Sequence, residues 1–295
     1  MRLAIGTAQF GLNYGITNRQ GKVSEEDAQR ILRQAREAGI TLLDTAAAYG
    51  DAEQVLGRSG SAEQFRIVTK IQPRDTVECG DLLRESAHRL GVAKLNTVLL
   101  HDAPLVLERP AIWGEMVRLK RDGAMSYIGI SLYYPSQWEQ MIELCSHGSW
   151  PLPDVVQLPI SVFDQRFVPV LADLASNGVE IHARSVYLQG AAFIDSHELP
   201  HYLRPLKPAL RLLAELEEQR ELDRTVLLMA FVLQYRQIDY MVIGIDGVNR
   251  WNETVTAYHL AGKLLNNEKF LHNINFSAFT IDDESVILPF QWKGN

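Results

Sequence analysis

"GITLLDTAAAYGDAEQVLG", residues 39–57, opens as a strand and closes as a helix. Its first part, ITLLDT (40–45), is mostly apolar on both faces, as parallel strands covered by helices are. A short Tyr-Gly turn then leads into the next helix. The stretch is one strand–turn–helix unit, with Asp44 at the strand end and Tyr49 in the turn. Reading outward, the unit recurs. Further strand candidates are LAIGT (3–7), FRIVTK (65–70), LNTVLLHD (95–102), SYIGIS (126–131), DVVQLP (154–159), VEIHAR (179–184) and YMVIGI (240–245). Between the first two strands, VSEEDAQRILRQAREAG (23–39) predicts a helix. Ser24 can cap it, Asp27 stands three residues on, Gly39 follows its end, and Ala28, Ile31, Leu32 and Ala35 form one apolar stripe. RPAIWGEMVRLKRDG (109–123) repeats the scheme, with Pro110 early, Ile112, Met116 and Leu119 inward and Gly123 past the end.

Eight strands alternating with helices fit either a closed (β/α)8 barrel or a doubly wound sheet; length and strand count favour the barrel, an α/β fold. No linker or composition shift marks a second domain, so one domain over residues 1–295 is expected. Hydrophobic residues make up 46% and charged residues 22%, enough for a sizeable core and a wetted surface. A net charge of −7 argues against nucleic-acid or anionic-membrane partners. Cys79 and Cys145 are too few and too far apart for a disulfide framework or a thiolate metal site, which suits a reducing compartment. MRLAIGTAQF is no secretory leader, and no run approaches the roughly 20 apolar residues of a membrane span. A cytoplasmic protein is expected.

In a barrel, the C-terminal ends of all strands meet at one face, where active sites sit. Asp44 ends the second strand, Tyr49 follows it, Lys70 ends the third and His101 lies at the end of the fourth. Each has a plain alternative: the Asp a helix cap, the Lys a solvated strand end, Tyr-Gly a turn, His101 with Asp102 a loop pair. Jointly, at successive strand ends, they favour catalysis.

The chain resembles the aldo-keto reductase family in GTAQFG (6–11), LLDTAAAYGDAEQVLG (42–57), IVTK (67–70), LLHD (99–102), IGIS (128–131), VVQLP (155–159) and VIGIDGVNRWNETV (242–255), in the family's order. The resemblance implies a (β/α)8 barrel and a nicotinamide cofactor, NADP(H) or NAD(H), bound extended without a Rossmann domain. No G-x-G-x-x-G fingerprint follows any strand here. It implies Tyr49, Asp44, Lys70 and His101 as the catalytic group, no metal, and a small carbonyl or alcohol substrate, possibly sugar-derived. Tyr49 would protonate the carbonyl oxygen as hydride arrives, and the Lys70 ammonium, held by Asp44, would lower the phenol's pKa from near 10. A neutral His101 would orient the carbonyl.

The same resemblance implies cofactor contacts. Ser131 and Gln157 would bond the nicotinamide carboxamide, although Leu132 stands where the family often has Asn. Arg184 occupies the position of an aromatic ring on which the nicotinamide lies. A guanidinium can stack there, but beside an oxidised nicotinamide its charge is unfavourable; an ion-pair role is the other reading. Gly6, Thr7 and Gly244 belong to the cofactor-contacting pieces, as do Arg250 and Glu253. Asp246 and Gly247 replace the family's basic and hydroxyl residues around the 2′-phosphate of NADP, which predicts weak discrimination between NADP(H) and NAD(H). In the tail (about 263–295), Phe270, Phe276, Phe279, Phe290 and Trp292 either wall the pocket or dock on the outside of the barrel. Two other readings stay open: a cofactor-binding regulatory or subunit protein on the same barrel, and a metal-dependent sugar isomerase. Substrate and oligomeric state are left open.

Overall fold

The computed structural model describes residues 1–74, 78–266 and 274–292. Eight strands close in chain order into a parallel barrel. They are β1 (Arg2–Gly6), β2 (Leu42–Asp44), β3 (Arg66–Ile71), β4 (Leu95–Leu100), β5 (Met125–Ser131), β6 (Val155–Pro159), β7 (Glu180–Arg184) and β8 (Tyr240–Gly244). Every neighbouring pair is parallel, and β8 returns to β1. The fold is the (β/α)8 barrel, and all eight strands fall where the apolar runs predict them. No helix among the described residues is long and apolar enough to cross a membrane.

The strands end earlier than the sequence suggests in one informative place. The expected fourth strand included His101 and Asp102, but β4 stops at Leu100. The Asp102 carboxylate accepts from the Leu105 N–H at 3.2 Å and so caps the helix Ala103–Glu108, which forces the chain to turn. His101 therefore sits just past the strand, still tied to β3 by its N–H to the Ile71 carbonyl at 2.9 Å.

Helices cover the outside. Helix Glu25–Glu37 is capped as expected, Ser24 Oγ accepting from the Asp27 N–H, and it buries Ala28, Ile31, Leu32 and Ala35. Helix Ala111–Arg121 departs from expectation. Trp113 and Met116 are its buried pair, while Ile112 and Leu119 are half-buried. The indole takes the centre of the stripe because its N–H has a partner there, the Pro151 carbonyl at 3.1 Å.

The helix Val248–Leu265 runs slightly past residue 263, where the tail was expected to start. Phe270 lies outside the described residues. Phe276 packs on Phe231 of the outer helix Arg224–Leu233, with ring centroids 5.0 Å apart. Trp292 is buried against Tyr202, and the Ile281 N–H bonds the Phe163 carbonyl at 2.9 Å. The described tail thus docks outside the barrel. Phe290 lies edge-on to the cavity-lining Tyr133, with ring centroids 5.0 Å apart.

Candidate active site

Ala4, Leu42, Val68, Leu99, Val155, Tyr240 and Val242 form the apolar cluster inside the barrel. Side chains alternate along a strand, so the residue two positions on faces the same interior, one layer nearer the C-terminal mouth. That residue is Gly6 on β1, Asp44 on β2, Lys70 on β3, His101 after β4, Gln157 on β6 and Gly244 on β8. Ser131 and Arg184 end β5 and β7 at the same level, Ser131 in register with Gln157 and Arg184 with Pro159. Tyr49 enters from the turn after β2.

Lys70 is the hub. Its ammonium donates to Asp44 Oδ2 at 2.7 Å and to the Thr45 carbonyl at 2.9 Å, and lies 3.5 Å from Tyr49 Oη. The other carboxylate oxygen, Asp44 Oδ1, accepts from Gln157 Nε2 at 2.7 Å. Lys70 is only 1% exposed, so it belongs to the core and not to a solvated rim. Tyr49 and His101 face each other edge-on with centroids 6.1 Å apart. Both line a cavity of about 310 Å³, within the range of small-molecule sites.

The electrostatics correct one expectation. Burial, then the Asp44 charge, push the Tyr49 phenol above its ordinary value, and Arg184 is the cation that opposes them. Lys70 does not produce the predicted lowering. Burial and the Asp44 carboxylate, itself paired with Lys70 at 2.7 Å, outweigh what the ammonium does to the phenol. Burial also pulls Lys70 itself down, against Asp44, which holds it up. His101 is pushed down to about 3 by burial, Lys70 and Arg184, so its ring is neutral at physiological pH.

The residues expected to hold a cofactor divide into two groups. Gly6, Gln157, Arg184, Gly244, Asp246 and Arg250 line the cavity. Ser131, Thr7 and Glu253 do not. Ser131 is buried beside Gln157 with a hydroxyl that has no hydrogen-bond partner among the described residues. The Thr7 hydroxyl is spent on the Asp44 carbonyl at 3.0 Å. Glu253 is exposed and pairs with Arg250 at 2.9 Å, while Asp246 approaches the same guanidinium at 3.8 Å. Arg184 makes no ion pair among the described residues. It lies 4.3 Å over the Tyr133 ring and donates to the Leu132 carbonyl at 3.0 Å and the Ser185 hydroxyl at 3.2 Å.

Sequence reasoning did not find Tyr14, Asn18, Tyr133 or Gln189, which also line the cavity. They come from the loops after β1, β5 and β7. The first and last of these loops meet over the mouth, where the Ile16 N–H bonds the Gln189 carbonyl at 2.9 Å. The β7 loop turns sharply there, with positive φ at Ser185, Leu188, Gln189 and Gly190. Its signal in the sequence was no more than the polar, Gly-containing SVYLQG that follows Arg184.

Residues 2–268 match the model of the aldo/keto reductase family. Among similar proteins, an aldo-keto reductase of Mycobacterium sp. (strain MCS) is 31% identical over 135 residues, covering 42% of this chain and 46% of that protein, so the match spans less than half of either. An L-glyceraldehyde 3-phosphate reductase of Escherichia coli O157:H7 is 25% identical over 291 residues, covering 83% of each chain. The solved aldo-keto reductase of Bacillus halodurans, in its holo form, superposes with a TM-score of 0.67 at 19% identity, over 89% of this chain and 91% of that one, a likeness of fold.

Proposed function

The chain belongs to the aldo/keto reductase family, and on that premise we propose that it reduces the carbonyl of a small hydroxylated aldehyde or ketone to an alcohol, with a nicotinamide dinucleotide as hydride donor. The observation that carries this reading is the buried Lys70–Asp44 pair set 3.5 Å from a phenol that keeps its proton, with a neutral imidazole facing the same cavity.

The dinucleotide, when bound, supplies the hydride. The protein's part is the proton and the field. As hydride reaches the carbonyl carbon, charge grows on the oxygen, which becomes a stronger base than a phenolate. Tyr49 then gives up its proton, and the Lys70 ammonium stabilises the phenolate left behind. Asp44 keeps Lys70 in place and charged against the pull of burial. His101 donates one ring N–H to the carbonyl oxygen and fixes its direction. The residues present fit a nicotinamide. Gln157 lines the cavity, and Ser131, buried next to it in register with a hydroxyl unpartnered among the described residues, adds the donor to the amide's acceptor that a carboxamide matches. For the substrate, Tyr14 and Gln189 give the cavity hydrogen-bonding walls suited to hydroxyl groups, while the Asn18 amide is spent on the loop backbone. The name of the Escherichia coli relative, a reductase of a phosphorylated three-carbon sugar, supports the same class.

The test is consumption of reduced dinucleotide by the purified protein with a panel of short hydroxyaldehydes. Turnover is expected, and Tyr49→Phe is expected to lower kcat by about 10²-fold or more with dinucleotide affinity nearly unchanged. Tight dinucleotide binding without turnover of any aldehyde would overturn the enzymatic reading in favour of a cofactor-binding protein.

A further inference from the structure

Arg184 is a cation with no acidic partner among the described residues. Charges elsewhere in the site are matched locally: Lys70 by Asp44, Arg250 by Glu253 and Asp246. Arg184 instead spends its hydrogen bonds on neutral oxygens, the Leu132 carbonyl and the Ser185 hydroxyl, and stacks on the neutral ring of Tyr133. Phe290 packs edge-on against that ring, with centroids 5.0 Å apart. Its field reaches the proton-handling groups, since Tyr49, Tyr14 and His101 are all pulled down by it. Among the described residues, the catalytic end of the cavity therefore carries about one net positive charge when His101 is neutral.

The position of this charge matters. The bond to Leu132 puts the guanidinium beside the residue that follows Ser131. Ser131 and Gln157 are the groups assigned above to the nicotinamide carboxamide, and this inference rests on that assignment. We propose that Arg184 makes the site discriminate between the two redox forms of its cofactor, binding the reduced dinucleotide more tightly than the oxidised one.

The charge balance gives the reason. In the forward reaction the dihydronicotinamide loses a hydride with both electrons, the carbonyl carbon gains it, and the oxygen takes the Tyr49 proton. The nicotinamide ring goes from neutral to +1, while the rest of the dinucleotide, phosphates included, is unchanged. A fixed cation against the ring opposes only the product form. The consequence is directional. The reduced cofactor loads in competition with the oxidised one, and the oxidised one leaves readily. The same repulsion makes hydride donation on the protein less downhill, which is the cost of easy release.

Equilibrium binding tests this without turnover. Dissociation constants for NADPH, NADP⁺, NADH and NAD⁺ are measured by quenching of tryptophan fluorescence, on the wild type, Arg184→Met and Arg184→Lys. Within each pair of forms the wild type is expected to favour the reduced one by tenfold or more, equivalent to a shift of about 30 mV in the bound two-electron couple. Arg184→Met is expected to bring the ratio close to one, mainly by tightening the oxidised form, and Arg184→Lys to retain most of it because the charge remains. Equal affinities in the wild type, or a ratio unchanged in Arg184→Met, overturn the proposal and leave the reductase reading standing. If neither form binds, both fall together.

Discussion

At the scale of single residues, the decisive fact is that Lys70, proposed above as a member of the catalytic group, is a core residue. A lysine ammonium taken out of water is tolerated because Asp44 and the Thr45 carbonyl accept from it at 2.7 and 2.9 Å. Removing it leaves the Asp44 carboxylate buried with one charged partner fewer. Lys70→Met is therefore expected to destabilise the protein by roughly 3–5 kcal/mol in addition to its effect on activity. Pairing it with Asp44→Asn is expected to restore much of that stability and none of the activity. Urea unfolding of the single and double variants checks this; a Lys70→Met midpoint equal to that of the wild type would show that the pair is not structurally important.

At the scale of elements, the turn after β8 and the start of the helix Val248–Leu265 form one charge cluster. Asp246 and Glu253 both approach Arg250, which reduces the positive charge that Arg250 can offer a 2′-phosphate. Gly247 has φ 169, extended backbone open to any residue, and a side chain there meets only the flexible Gln20 end at 3.3 Å. Asp246→Arg with Gly247→Ser is therefore expected to fold normally and to raise the NADPH-over-NADH ratio of kcat/KM by tenfold or more, about 1.4 kcal/mol per tenfold. Steady-state kinetics with both cofactors decides it. A wild type already strongly selective for NADPH, and a double variant no different, would mean that Arg250 governs the choice alone.

At the scale of the whole molecule, the barrel is held at its floor as well as at its mouth. The inward line Arg66, Val68, Lys70 on β3 and the line Glu180, His182, Arg184 on β7 each run from a charged floor, through the middle of the barrel, to a charged mouth. At the floor, Arg66 bonds Glu180 at 2.7 Å, and Glu180 also bonds His182 Nε2 at 2.6 Å. Burial alone would raise the Glu180 carboxyl; His182 and Arg66 outweigh it and hold the group at about 2, against an ordinary 4.5. A depressed folded-state value means that the stability is present above the ordinary carboxylate range and is lost as pH falls from about 4.5 toward 2. The shift corresponds to about 3 kcal/mol. Glu180→Gln is expected to be less stable than the wild type at neutral pH and to lose less on acidification to about pH 3. Denaturant midpoints at the two pH values measure the difference, and parallel losses in both proteins would remove the floor contact from the account.

Much of this was legible in the chain alone. The eight apolar runs and their spacing place the strands and, but for the fourth, the residues near their ends. Asp44 and Lys70, at the ends of strands adjacent in the barrel, therefore follow from local order, whereas Gln157 and Arg184 stood out only through the resemblance to the family. The tertiary structure decided the rest. Gln157 reaches Asp44 across 113 positions of sequence, and Tyr133 comes to lie under Arg184 from a different strand's loop. Nor does the spacing of Lys70 reveal that it is fully buried, or that burial outweighs it in setting the proton affinity of Tyr49. Strand identity and facing are set by neighbours along the chain. Desolvation, and the choice of which loop covers a strand end, exist only once the barrel has closed and excluded water from its mouth.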